Sequence, residues 1–467
     1  MKIHMNRIRR NVAEIQLLCT DSIQLDAKSA LNPLRRYVTG FSWTLFGTLA
    51  GQASTYLSTM LMARFLGLES FGRLGTVQAT LTAVFGVAAL GLGITSTRYI
   101  TRYRVSDPAR AGRLIGLCSL VSLCSGTLFT VVLLLFADLV ANHLFRNGHL
   151  STAIRITAPY CALMTMNAHQ IGTLLGFQAY GRLLRAQALQ GATTLLLTFT
   201  LVSTLGFNGA VLTLPLSAVF AWLYMHLEVA AECRTRSVHA TFRGAWSERK
   251  VLLEFALPAS FSGVIGSVAV WTAQGLLVRN HDGIQQMGLW TAAVTLRSMV
   301  LLAPGVLSRV SSPILSSLHD HETGESYSRT LWSTTAIATV GAMATALALI
   351  AVGPWVLTLF GRTYKQAESL LPLVLGSAVV EVFAGNVGQV VVADTRMKYQ
   401  ILVIILWGFT LTLVAYLAIP NYHAQGLASG YLASAVVSAI VYTLIARKFL
   451  LQRGRGSLVR QIPQDIK

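Results

Sequence analysis

Charge is what this sequence is short of. Only 12% of its 467 residues are charged and 54% are hydrophobic, whereas a soluble chain carries about a quarter charged residues. The shortage is deepest for acids, with 18 Asp and Glu against 37 Lys and Arg. The carboxylates are scattered, and no pair stands in a loop as a glycosidase or glycosyltransferase site needs. The five cysteines, Cys19, Cys118, Cys124, Cys161 and Cys233, have no CxxC or CxxH spacing, which excludes a disulfide framework and a zinc site. GxxxxGK[ST], HExxH and GxSxG are also missing, so no phosphate-cradling loop, metalloprotease helix or nucleophile elbow is expected. Neither enzymatic activity nor a cofactor is expected. Residues 1–36 are basic and lack the apolar core of a signal peptide.

Long apolar runs are what the chain has. Val38 to Ala63 and Leu74 to Ser96 flank a polar link, 64–73, and end in the basic cluster Arg98, Arg102 and Arg104. Each run exceeds the roughly 20 residues that span a bilayer core, so together they predict a transmembrane hairpin. Further spans are expected near 114–142, 152–177, 184–205, 207–230, 251–278, 286–318, 330–353, 367–394, 399–419 and 424–447, giving an all-α membrane protein with twelve transmembrane helices. The 286–318 run is too long for the core and is expected to continue as helix into water.

A net charge of +19 on such a chain reads as the Lys/Arg excess of one membrane face, not as a nucleic-acid surface. With that topology 29 Lys and Arg fall on the side of the termini, seven fall on the other side, and Arg297 lies inside a span. This predicts cytoplasmic N- and C-termini. The domain expectation is a basic tail at 1–36, a first lobe at 37–230, a linker at 231–250, a second lobe at 251–449 and a basic tail at 450–467. The first tail either forms an interfacial helix near 8–18 or stays without structure.

The halves also repeat. Arg64 and Gly72 correspond to Arg279 and Gly288, Gly209 and Ser217 to Gly426 and Ser434, and Arg182 to Arg396, all at separations of 214 to 217 residues. Six spans per copy predict two six-helix lobes related by a pseudo-two-fold along the membrane normal, with a cavity between them.

Polar groups at membrane depth are the candidate functional residues. Glu381 lies mid-span, followed by Asn386 and Gln389 on roughly one face. It is either a proton-exchanging, ion-coupling carboxylate or an acid that pins two helices together. Arg297 either faces a cavity and binds phosphate or carboxylate, or pairs with a neighbouring acid. Gln52, Tyr56 and Thr59 in the first span, and Trp271 and Gln274 in the seventh, fit hydrogen bonding to sugars or contact between helices. His169 and Gln170 are a weaker pair.

The segment Met62-Ala-Arg-Phe-Leu-Gly-Leu-Glu-Ser-Phe-Gly72, with Gly91-Leu-Gly93 and Arg98-Tyr-Ile, resembles the opening of the polysaccharide-transporter branch of the MOP exporter superfamily. Phe255-Ala-Leu-Pro258, Gly288-Leu-Trp-Thr-Ala-Ala293 and Leu359-Phe-Gly361-Arg-Thr-Tyr364 extend the likeness over roughly 38–450. The resemblance implies a MATE-like fold in the bacterial cytoplasmic (inner) membrane. It implies an O-antigen-flippase-like transporter of undecaprenyl-diphosphate-linked oligosaccharide, with alternating access, an ion gradient and a cationic cavity for the diphosphate. Arg98 and Arg297 would meet the diphosphate, and Gln52, Tyr56, Trp271 and Gln274 the sugars. Membrane lipids, and with them a polysaccharide polymerase and a chain-length regulator, are the implied partners. Relatives carry an acid late in the seventh span where this chain has Gln274, which moves the expected coupling role to Glu381. A cation-coupled multidrug exporter and a non-transporting scaffold for glycan assembly are the alternatives.

Overall fold

The computed structural model describes residues 33–148, 150–321, 324–393 and 397–460, and every regular element among them is helical. The tail before residue 33, with its amphipathic stretch near 8–18 and Cys19, lies outside the described residues, as do Arg396, residues 461–467 and the side chain of Gln389. The main helices are α1 (Pro33–Ala88), α2 (Leu92–Ser106), α3 (Pro108–Leu139), α4 (Leu150–Thr157), α5 (Pro159–Phe177), α6 (Tyr180–Leu197) and α7 (Ser203–Thr235), followed by α8 (Leu257–Val278), α9 (Gly283–His321), α10 (Gly324–Phe360), α11 (Leu371–Ala393) and α12 (Met397–Arg460). Leu135, Val340, Leu347, Trp355 and Phe409 are among many large apolar side chains on the outer surface. Backbone polar groups there are satisfied inside helices, as a lipid environment requires. The chain is a multi-pass membrane protein.

By length and apolarity, six helical stretches among the described residues are able to cross a bilayer, or seven with the bent pair 51–88 and 92–106. Several long stretches fold back on themselves. In α1 the Ser298 hydroxyl donates to Tyr56 Oη at 3.3 Å, while Gly75 packs on Thr291. Those partners are about 10 Å apart along α9, whereas a straight α1 would hold residues 56 and 75 about 28 Å apart. The chain therefore reverses, and Gly67 (φ 72°, ψ 174°) is the break. The polar link expected over ten residues is thus a single non-helical glycine, and helix runs up to it from both sides. Gly206 (φ 55°, ψ −126°) splits α7 in the same way: Arg182 binds Glu228 and Glu232, and Thr193 meets Tyr224 at 3.1 Å. His423 (φ 47°, ψ −126°) splits α12, with Tyr399 against Phe449 and Trp407 against Tyr431.

The expected span 74–96 is not continuous. The run 74–96 breaks at Leu90 and Gly91, both with positive φ, and α2 leaves at 43° to the preceding helix. The bend lays Gly93 on Gly172 of α5, where a Cβ on Gly172 would stand 2.2 Å from the Gly93 carbonyl oxygen. The 286–318 run is helical throughout and longer, reaching His321.

The duplication is visible in the backbone. Positive-φ breaks occur at Gly67 and Asp282, Arg146 and Gly361, and Gly206 and His423, separated by 215, 215 and 217 residues. The two copies also meet reciprocally. A Cβ on Gly72 would stand 1.8 Å from the Ile284 carbonyl oxygen, and one on Gly288 would stand 2.5 Å from the Leu68 carbonyl oxygen. Residues 68 and 284, like 72 and 288, are 216 apart, so this is the self-complementary contact that a two-fold axis produces. No side chain fits there, which accounts for glycine in both copies.

Candidate functional site

A cavity of about 660 Å³ opens beside this crossing, within the size range of ligand sites. Its walls come mainly from the second half: α8, the first turns of α9, the middle of α11 and both arms of α12. The first half contributes only the stretch of α1 from Gly75 to Ala83. Small residues of α8 (Ser262, Gly263, Gly266, Ser267) face aromatic Trp407, Tyr431 and Tyr442, with Gln78, Thr82 and Gln274 between them. The one charged residue in the lining is Glu381. Among the described residues no Lys or Arg lines this space, so this cavity is not the cationic one expected from the resemblance.

The nearest cation stands behind that wall. Arg297 lies about 21 Å along α9 and Glu381 about 15 Å along α11, so both stand well inside their helices. There they form an ion pair. The Arg297 side chain is 12% exposed and that of Glu381 47%, so the acid screens the arginine from the cavity. Arg297 Nε also donates to Ser377 Oγ at 3.4 Å. Its guanidinium carbon lies 5.4 Å from the ring centre of Tyr431, close enough for cation–π attraction. Tyr431 packs in turn on Trp290 at 4.9 Å, and its hydroxyl is a hydrogen-bond partner of Gln274. The buried indole N–H of Trp290 has no partner among the described residues.

The other expected site residues do not join this group. The Trp271 indole donates to Thr80 Oγ1 at 3.2 Å and its ring packs edge-on against Phe145, tying α8 to α1. Tyr56 meets Ser298, and Gln52 is exposed; neither lines the cavity. Arg98 is exposed near the middle of α2, stacked on Phe255 at 4.5 Å, and does not line the cavity. His169 is buried inside the first half, bridging Ser96 and Ser119 at 2.9 Å on each ring nitrogen. Sequence reasoning missed Ser377, Trp290, Trp407, Tyr431 and Tyr442. Only Ser377 had a signal, standing one helical turn before Glu381 on the same face. Among the described residues no three His, Cys, Asp or Glu converge as a metal site, and Cys118, Cys124, Cys161 and Cys233 are unpaired.

Comparison with known proteins adds the family. The family described as "Polysaccharide biosynthesis protein" matches residues 37–319. The chain belongs to that family. It is 23% identical to the lipid III flippase of Escherichia coli (strain K12) over 421 residues, which cover 89% of this chain and 98% of the relative. The lipid III flippase of Shigella flexneri matches equally. Among solved structures, an inward-facing multidrug resistance MATE transporter of the MOP superfamily superposes with a TM-score of 0.74 at 18% identity, covering 86% of this chain and 96% of that one. A MOP superfamily transporter from Pyrococcus furiosus, whose structure is described by a binding pocket of reverse polarity, gives 0.67 at 17% identity over 88% and 95% of the two chains. This member of the polysaccharide biosynthesis family has the fold of the MATE transporters.

Proposed function

We propose that the chain flips a lipid-linked oligosaccharide diphosphate from the inner to the outer leaflet of the bacterial cytoplasmic membrane, for O-antigen, exopolysaccharide or capsule synthesis. A diphosphate and its sugars cannot cross hydrocarbon unaided. The single observation that carries this reading is the Arg297–Glu381 pair beside a cavity otherwise lined by neutral polar, aromatic and small residues. Sugar hydroxyls suit such a lining, and the prenyl chain remains in the surrounding lipid. Anion recognition then needs Arg297 to exchange partners: when Glu381 takes up a proton, the guanidinium is released to the diphosphate. Proton uptake and anion loading are coupled in this scheme, and a proton gradient supplies the drive. Counting each hairpin as two crossings gives twelve, with lobes at 37–230 and 251–449, a linker at 231–250 and both termini cytoplasmic. A polymerase and a chain-length regulator are the protein partners in this reading.

The test is flipping of a fluorescent undecaprenyl-diphosphate oligosaccharide in proteoliposomes, with and without an imposed pH gradient. Protection of the label from an impermeant quencher, accelerated by the gradient, is expected. No acceleration over protein-free vesicles defeats the proposal. Glu381 as the lone charged residue of the lining favours a second reading, a cation-coupled drug exporter. Gradient-driven efflux of a lipophilic cation from the same vesicles, without glycolipid flipping, selects it.

A further inference from the structure

The segment that joins the two halves carries two large apolar side chains in the open. Phe242 is 68% exposed and Trp246 is 61% exposed, in a stretch that contains no long helix and lies past the end of α7. This segment is held firmly. The Thr241 N–H donates to the Gly112 carbonyl at 3.3 Å, and Glu248 is clamped by Arg110 at 3.0 Å and Arg113 at 3.4 Å. Gly112 and Gly116 admit its backbone, since a Cβ on either would stand 2.1 Å from the carbonyl oxygen of His239 or Thr241. Val238, Ala245 and Glu248 point inward. Phe242, Arg243, Trp246, Arg249 and Lys250 point outward. The three cations have no acid partner among the described residues.

Its depth follows from α3. Thr241 lies against Gly116, one turn below Leu120, the first leucine of α3 on the outer surface. One turn is about 5.4 Å, roughly the thickness of the headgroup layer on one side of a bilayer. Tryptophan and phenylalanine among unpaired arginine and lysine at that level match the aromatic and cationic character of a membrane interface.

We propose that the inter-half linker 239–250 is a built binding surface for anionic phospholipid. Phe242 and Trp246 enter the interfacial layer, and Arg243, Arg249 and Lys250 take the phosphates. Naming the leaflet as cytoplasmic rests on the topology proposed above; the binding itself does not. The test uses the full chain in vesicles of phosphatidylcholine, with or without phosphatidylglycerol. The Trp246 emission is isolated by subtracting the spectrum of Trp246→Phe. It is expected to be quenched by lipid brominated near the headgroup and shielded from acrylamide in water. The triple variant Arg243→Gln, Arg249→Gln, Lys250→Gln leaves the buried clamp intact and should retain less phosphatidylglycerol after purification. The expected loss is roughly fivefold per cation removed. Trp246 quenched from water and not from lipid overturns the proposal. So does undiminished lipid retention in the triple variant, or shielding of Trp246 that appears only when soluble protein is added. None of these readouts depends on flipping.

Discussion

The two halves of this chain share one backbone plan and differ in what they place inside it. Arg297 and Glu381 make an ion pair in the second half. At the repeat separation of 215 to 217, the first half has Thr80, Leu81 and Thr82 opposite Arg297, and Met164, Thr165 and Met166 opposite Glu381. Conversely, His169 bridges two serines inside the first half, where the second half has Ala384, Gly385 and Asn386. The second half supplies most of the cavity wall and the first supplies one helical face. A duplicated scaffold has thus kept its breaks and its reciprocal glycine crossing while concentrating the charge in one copy. Breaks and crossings are dictated by backbone geometry, which both copies must satisfy; mid-membrane charge is costly, and a single pair suffices.

The sharpest way to break this comparison is Arg297→Ala. It leaves Glu381 without its partner, and removing one member of a buried pair costs about 3–5 kcal/mol at most. The 47% exposure of Glu381 reduces that figure. Flipping in proteoliposomes is expected to fall by more than tenfold. The double variant Arg297→Met, Glu381→Leu should regain thermal stability in detergent without regaining transport. Normal transport by either variant would remove the pair from the mechanism. Next in size is the glycine crossing. Gly72→Ala and Gly288→Ala each force a Cβ into a backbone carbonyl, and each is expected to lower the thermal midpoint, consistent with overpacking costs of about 1–3 kcal/mol. The double variant should lose less than the two losses added together, because one displacement relieves both clashes. Additive losses would mean the two contacts are independent and the two-fold reading is wrong.

What the sequence disclosed follows the same division. Hydropathy and turn residues report position along a helix, so the membrane class, the reversal near Gly67 and the repeat separation could all be read from Gly72 and Gly288 or Gly209 and Gly426. Position around the helix was not readable. A span that is apolar on every side has no polar face to show which way it turns. Hence Trp271, for which sugar contact and contact between helices were both open, is turned to Thr80, and Arg98, expected beside the diphosphate, stacks on Phe255. The bend at Leu90 and Gly91 was hidden for a related reason: glycines in Gly86–Gly93 serve close packing as well as bending, and composition does not separate the two. For Arg297, pairing with an acid and facing a cavity were both open from sequence, and the structure has the pair.

A smaller effect is expected from the buried histidine of the first half. His169→Ala removes two side-chain hydrogen bonds and leaves the Ser96 and Ser119 hydroxyls without the ring. At about 1 kcal/mol for each bond the loss is near 2 kcal/mol, read as a lower thermal midpoint. His169→Asn, which keeps a donor and an acceptor, should recover part of it. Transport by both variants is expected to stay near that of the parent when assayed below their midpoints, since the histidine lies apart from the cavity. A transport defect in His169→Asn at unchanged stability would put working chemistry into the first half and undo the asymmetry.

The smallest effect tests how the halves are held together rather than what they contain. Tyr364, almost fully buried, donates its hydroxyl to the Ala63 carbonyl at 3.2 Å and packs edge-on against Phe71, joining the loop after α10 to the turn region of the first hairpin. Tyr364→Phe keeps the ring contacts and deletes one hydrogen bond, a change of about 1 kcal/mol. If the cavity alternates its access by separating the halves at this end, that bond is broken in one state only, and its loss shifts the balance between states about fivefold. A cysteine placed at Ala63 should then react correspondingly faster with an impermeant maleimide from that side in Tyr364→Phe than in the parent. Equal labelling rates would show that this end stays closed through the cycle, and that the halves move about some other contact.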